Sequence, residues 1–251
     1  MYAVTAARSS TRSDVVPFQS RSGEDASLQD LFAGQPIAIL PARRAAFWQG
    51  DATEHIVQVA TGVLRLCRIL PDGRRAIAGL VFPGDILGVS FPDQYPVTAE
   101  AASEVLLRRL SRRQLEAAAQ RSAQLRAQLF DRACEDACGA QARLLLLHMT
   151  AEQRVSSFLL FVARKGKARL RRGAEVNLPM SRGDVADYLG LKIETVCRTL
   201  AKLRARGLIA VPSPHQIVLL TPSALMEVAG EGDEPGVLAT RASAGQRNLS
   251  S

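Results

Sequence analysis

The chain has no apolar run approaching the roughly 20 residues that a membrane-spanning helix needs, and its N-terminus has no apolar core of the kind that directs secretion. A cytoplasmic protein without membrane association is expected. Cysteine is scarce: Cys67, Cys134, Cys138 and Cys197 are the only four, and no two form a C-x-x-C pair. That spacing excludes common zinc modules and gives no disulfide framework. The three histidines, His55, His148 and His215, stand far apart with no H-x-H pair. Jelly-roll metalloenzymes gather several histidines and a Glu on one metal, so this chain is not expected to be such an enzyme, and no metal or cofactor is expected. Acidic residues are also in short supply, 24 against 32 basic ones, which leaves a net charge of +8. Such a balance favours a polyanionic partner. With 47% apolar residues among 251, the chain can build two modest cores.

What is present is most informative between Met180 and Gly207, MSRGDVADYLGLKIETVCRTLAKLRARG. Ser181 followed by Asp184 has the S-x-x-D form of a helix N-cap, and Val185, Ala186 and Leu189 recur at helical spacing. Gly190 permits a sharp turn, after which a second helix starting near Ile193 carries Val196, Leu200 and Leu203 on one face. Glu194, Cys197 and Arg198 fall together on another face, because residues i, i+3 and i+4 share one side of a helix. Helix, tight turn, helix is the arrangement that reads double-stranded DNA in the major groove. Arg198 offers a planar fork to guanine O6 and N7, whereas Glu194 accepts only from exocyclic amines such as cytosine N4. Ser181, Lys192, Thr195 and Lys202 are the candidates for phosphate contacts. The competing reading is an amphipathic helix with a solvated charged face.

The segment Leu178–Gly207 resembles the DNA-binding signature of the Crp/Fnr regulator superfamily, and Glu194-Thr195-Val196-Cys197-Arg198 resembles the E-T-[VI]-S-R core of its Fnr and FixK branches. The resemblance implies half-sites of the TTGAT type, read by Glu194, Cys197 and Arg198. It also implies a homodimer on a TTGAT-N4-ATCAA-like palindrome, with RNA polymerase as a further partner and activation as the main mode. Cys197 replaces the usual Ser, and Lys192 stands where a Thr or Ser cap is common. A thiol beside a guanidinium is favoured as the reactive thiolate, so oxidation of Cys197 is one expectation for regulation; a passive replacement of Ser is the other. Oxygen-sensing Fnr proteins hold an iron–sulfur cluster with cysteines near the N-terminus. Here the only cysteine before residue 134 is Cys67, so that cluster has too few ligands.

Upstream, short β-rich runs at Ile56–Thr61, Val63–Leu70 and Ala76–Phe82 alternate with the turn signals Pro71-Asp72-Gly73 and Pro83-Gly84-Asp85, which predicts a small barrel or jelly roll. Val59–Gly88 resembles the cyclic-nucleotide-binding β-roll of the same superfamily. A phosphate cassette there would carry a Glu just after Gly88 and an Arg-Ala pair before the next strand, but the chain reads Val89-Ser90-Phe91-Pro92-Asp93 and then Val97-Thr98-Ala99-Glu100. Without the Arg, the cyclic phosphate has no bidentate partner, so cyclic nucleotide is not expected to bind. An effector-sensing β-roll, with haem on a histidine or another small ligand, is the alternative function.

From Leu115 to Met149 there is no proline and a single glycine, so the stretch is helical. Leu125, Leu129, Ala133, Ala137, Ala140, Leu144 and Leu147 form an apolar stripe at spacings of four and three, the pattern of a two-helix seam. Ala151–Ala163 resembles the first helix of the family's DNA-binding domain, and Arg164–Arg172 carries six basic residues in nine, expected as a loop or hairpin edge near phosphates. Leu208–Val211 and Ile217–Leu220 flank a Pro212-Ser213-Pro214 turn and supply a wing. The fold class is therefore α+β: a flexible arm (1–30), a cyclic-nucleotide-binding-like jelly-roll domain (31–121), a long dimerisation helix (122–149), a winged helix-turn-helix (150–229) and a flexible tail (230–251).

Overall fold

The computed structural model describes residues 27–166 and 168–231. Residues 1–26 of the expected arm and 232–251 of the expected tail lie outside the described residues. The ordered domain starts earlier than expected, because a short helix α1 (Leu28–Ala33) begins inside the segment assigned to the arm. Ser27 caps its amides while Asp30 bonds back to the Ser27 amide, a reciprocal cap that sets the start. Leu28 and Phe32 then pack against Ile56, Leu110, Leu115 and Leu125 in one buried cluster.

The strands β1 (Ile37–Leu40), β2 (Ala45–Phe47), β3 (His55–Thr61), β4 (Leu64–Ile69), β5 (Arg75–Val81), β6 (Ile86–Leu87), β7 (Thr98–Ala101) and β8 (Val105–Ser111) form two four-stranded antiparallel sheets. Their orders are β1-β8-β3-β6 and β2-β7-β4-β5. Val57, Val59, Leu64, Val105 and Leu107 meet between the sheets with exposures of 1% or less, the burial that their β-branched and apolar content demands. Gly62 joins β3 to β4 at φ 78°, and a Cβ there would sit 2.3 Å from the Glu104 carbonyl oxygen. Only glycine fits that crossing. After Gly88 the chain drives Phe91 and Tyr95 inward: Tyr95 stacks on Phe47 at 3.7 Å, and Phe91 meets both edge-on. Arg112 holds this segment by donating to the carbonyls of Thr53, Gly88 and Phe91.

Helix α2 (Arg112–Arg121) is separated from α3 (Ala123–Leu145) by Ser122, which leaves helical geometry and caps the Leu125 amide. A 3₁₀ turn at Leu146–His148 follows. One face of α3 lies on the β-roll: Leu125 is wholly buried there, Leu129 packs partly beside it, and Arg132 donates to the Ile86 carbonyl. This corrects the expected seam. Leu125 and Leu129 belong to the chain's own core, because α1 and α2 close over that side of the helix. Ala137, Ala140, Leu144 and Leu147 are exposed, and Ala133 is half-buried. The exposed stripe opposite the β-roll instead runs Ala123, Ala127, Phe130, Cys134, Ala137, Gln141 and Leu144, at unbroken spacings of four and three. Phe130 is 70% exposed and Leu144 63%.

The C-terminal part is built around α4 (Ala151–Lys165), capped reciprocally by Thr150 and Gln153, with every residue from Val155 to Ala163 buried. Around it stand β9 (Ala174–Asn177), α5 (Arg182–Leu189), α6 (Ile193–Ala205), β10 (Ile209–Ser213), β11 (Gln216–Leu219) and α7 (Pro222–Ala229), the three strands ordered β10-β11-β9. Ordered structure continues past 229: Glu231 is 7% exposed and receives both terminal nitrogens of Arg164 at 3.1 and 2.5 Å.

The two halves share a core. Val63, Cys67, Ile77 and Phe82 of the β-roll are continuous with the buried residues of α4 and α5, and Phe82 meets Phe161 edge-on at 5.5 Å. Lys165 on α4 pairs with Asp85 at 2.8 Å. Between the same two halves, the buried Asp184 carboxylate on α5 accepts from Arg65 of β4 and from Arg75 of β5, each at 2.7 Å. Burial alone would raise the Asp184 pKa, but hydrogen bonds from the Ser181 hydroxyl and amide, with Arg65 adding charge, hold it below the usual carboxylate range. The carboxylate is therefore ionised at neutral pH, and the stability it lends is lost only as pH falls through its depressed pKa.

Candidate nucleic-acid interface

Helix α5 starts where Ser181 caps the Asp184 amide, and ends at Gly190, whose φ of 63° and ψ of 39° allow the left-handed turn into α6. Helix α6 buries Val196, Thr199, Leu200 and Leu203 against the domain, which fixes its rotation about its own axis. With that face taken, Glu194, Cys197 and Arg198 are all exposed on the outer side, as their spacing predicts. Lys192 is the N-cap of α6, is exposed and makes no side-chain cap, so this end presents a cation and uncapped first-turn amides. The Thr195 and Val196 amides turn back to the Lys192 carbonyl.

Two of the expected phosphate contacts are engaged elsewhere. The Ser181 hydroxyl donates to Asp184 at 2.8 Å and accepts from its amide, so it closes the helix cap. Lys202 reaches Glu152 of α4 at 2.5 Å, and Arg206 pairs with the same carboxylate. The Lys202 hydrogen bond is the main reason the Glu152 carboxyl lies below its ordinary range. These pairs tie the far end of α6 to α4 and lessen the case for Lys202 on phosphate. Thr195 remains half-buried beside the exposed face.

Arg182, absent from the sequence reading, lies beside Cys197 in a shallow hollow with Leu200, Ala201, Arg204 and Val211. Burial lowers its pKa, and its buried Nη1 has no partner among the described residues. The available signal was a cation in the first turn of α5, where the helix dipole disfavours positive charge. The described residues of the basic run Arg164–Arg172 divide between the end of α4 and the loop before β9. Arg164 and Lys165 are paired inward, and the register Ala174↔Leu219 and Asn177↔Gln216 puts the loop before β9 at the opposite end of the wing sheet from Pro214–His215.

Elsewhere, no group of three or more His, Cys, Asp or Glu gathers to hold a metal among the described residues, and no described helix is long and apolar enough to cross a membrane. His55 lies on β3, His148 ends the 3₁₀ turn, and His215 meets the Leu178 carbonyl at 3.2 Å in the wing.

A β-roll joined by a long helix to a winged helix-turn-helix, with a cationic reading helix exposed, defines a two-domain DNA-binding regulator. Family models agree with each half: a Crp-like helix-turn-helix domain matches residues 153–228, and a cyclic nucleotide-binding domain matches residues 39–122. The nitrogen fixation regulation protein FixK of Azorhizobium caulinodans is 40% identical over 190 residues, covering 75% of this chain and 77% of that protein. The protein of the same name from Rhizobium meliloti is 36% identical over 190 residues, covering 75% and 85%. The solved structure of FixK2 from Bradyrhizobium japonicum superposes with a TM-score of 0.72 at 32% identity, over 77% of this chain and 96% of that one. The chain belongs to the Crp/Fnr superfamily of transcription regulators, in its FixK-like branch.

Proposed function

We propose that the protein activates transcription in the cytoplasm by binding, as a homodimer, a palindrome of the TTGAT-N4-ATCAA type and contacting RNA polymerase there. The observation that carries this reading is the rotation of α6. Four buried residues lock it into the domain, so that Glu194, Cys197 and Arg198 point outward together. Similarity to the transcriptional activatory protein AadR of Rhodopseudomonas palustris, 35% identical over 182 residues, supports the activator assignment. The exposed stripe around Phe130 and Leu144 supports the dimer, since apolar residues at heptad spacing lose water contact when a second copy covers them. Titration of the palindromic duplex against a scrambled duplex of equal length tests the function. Preference for the palindrome by about a thousandfold is expected at physiological salt, and equal affinities would refute it.

Cyclic nucleotide and iron–sulfur cluster have no part in this reading. The segment after Gly88 offers Phe91 and Tyr95 to an aromatic core instead of a carboxylate and a guanidinium to a ligand. Titrating cAMP into the protein in a calorimeter is expected to give no saturable heat, and a saturable signal would overturn the assignment.

Oxidation at Cys197 is the proposed control. Its thiol is exposed between Glu194 and Arg198 on the reading face. Oxidation of that thiol by peroxide to a sulfinic or sulfonic acid adds negative charge and bulk where phosphates and bases must approach. Peroxide treatment is expected to abolish DNA binding without unfolding the wild type, while Cys197→Ser keeps its binding. Loss of binding by both proteins alike would move the control to another cysteine.

A further inference from the structure

We infer that Arg65, Arg75 and Asp184 are positioning residues that set the distance between the two recognition helices of the dimer. This rests on the palindrome reading proposed above. Both oxygens of Asp184 are used: Oδ1 accepts from Arg75, while Oδ2 accepts from Arg65 and from the Ser181 amide and hydroxyl. One carboxylate thus closes the cap of α5 and ties that helix to the β4–β5 hairpin. Arg65 is held from its other side by Glu100 of β7, and Arg75 lies 3.8 Å from Glu100 and 3.7 Å from Asp187. The side chains of Asp184 and Arg65 are only 4% and 10% exposed.

A buried ion cluster is poor evidence for stability, because desolvation offsets most of the attraction. Its distinguishing property is direction. Apolar contacts such as Phe82 on Phe161 tolerate sliding, whereas guanidinium–carboxylate pairs accept a narrow range of angles. Helix α5 passes into α6 through the short turn at Gly190, so fixing α5 on the β-roll fixes the recognition helix too. The β-roll in turn carries α3, whose outer stripe meets the second copy. The path from one reading face to the other therefore runs α6, α5, ion cluster, β-roll, α3 and back through the partner. The β-roll meets α4 and α5 at one junction, and the cluster is the larger directional contact there, beside the single Lys165–Asp85 pair. Two half-sites on a duplex are rigidly spaced, so a dimer gains from engaging both only when its own spacing matches.

Spacer discrimination tests this. Affinities of wild type, Arg75→Met and Arg75→Lys would be measured on palindromes with spacers of three, four and five base pairs, and on a duplex carrying a single half-site. Wild type is expected to prefer the four-base-pair spacer. Arg75→Met is expected to lose about tenfold on that duplex, to change little on the half-site, and so to discriminate less among spacers. Arg75→Lys, which keeps the charge without the fork, should fall between them. Alkylation of Cys67 by N-ethylmaleimide gives a readout independent of DNA, because this thiol is buried under the cluster with Arg75 Nη1 3.9 Å away. Mass spectrometry should find it modified faster in Arg75→Met than in wild type. Unchanged spacer ratios, parallel losses on palindrome and half-site, or unchanged Cys67 protection would overturn the assignment. A wild type with no preference for any palindrome would instead sink the dimeric reading on which it rests.

Discussion

Leu144→Asp is expected to convert the protein to folded monomers and to lower affinity for the palindrome by about a hundredfold or more. Leu144 is 63% exposed on a single chain, so a carboxylate there meets water and leaves the domain intact. In a two-fold seam the same carboxylate faces its own copy, and two like charges lose solvation without gaining partners. Sedimentation equilibrium separates the possibilities. A variant that remains dimeric places the interface elsewhere, and one that loses its circular dichroism shows that Leu144 packs within the chain. Leu125 provides the contrast. Because it is wholly buried among Phe32, Ile56 and Leu110, a charge at that position should unfold the β-roll long before it affects association.

Arg198→Ala is the second large effect. On the exposed face of α6 its guanidinium lies one helical turn from Glu194 and is free of any ion pair among the described residues, so it is available to a guanine edge. Truncation removes a bidentate contact worth about 1–3 kcal/mol, or roughly 5- to 150-fold in specific affinity. Binding to scrambled DNA, carried by the summed charge, should fall only slightly. Equal losses on the two duplexes would make Arg198 a phosphate contact. Folding is not at issue, because the buried side of the helix, from Val196 to Leu203, is untouched.

Strands β3 to β5 and both helices of the reading motif were legible because each rests on local rules: β-rich runs bounded by turns at Pro71-Asp72-Gly73 and Pro83-Gly84-Asp85, a Ser181–Asp184 cap and a glycine at 190. Helices α1 and α7 and strand β9 escaped for an equally physical reason. Helix α1 and strand β9 have only six and four residues, while α7, as long as α5, lacks the side-chain cap that marks the start of α5. The rotation of α3 was illegible too. Alanine and leucine occur around much of its circumference, and only the position of α1, α2 and the sheets decides which side is taken. Contacts distant in sequence gave no signal at all. Lys202 finds Glu152 fifty residues earlier, and Arg65 finds Asp184 at a separation of 119.

The shared core bears on modularity. Val63, Cys67, Ile77 and Phe82 of the β4–β5 region join the buried residues of α4 and α5 in one cluster, so the DNA-reading half, taken without that hairpin, would leave part of its apolar surface uncovered. Heat or denaturant must expose both sides of that junction together, which couples the melting of the two halves into one cooperative event. A chimera that exchanges the reading domain between relatives would have to bring the matching hairpin with it.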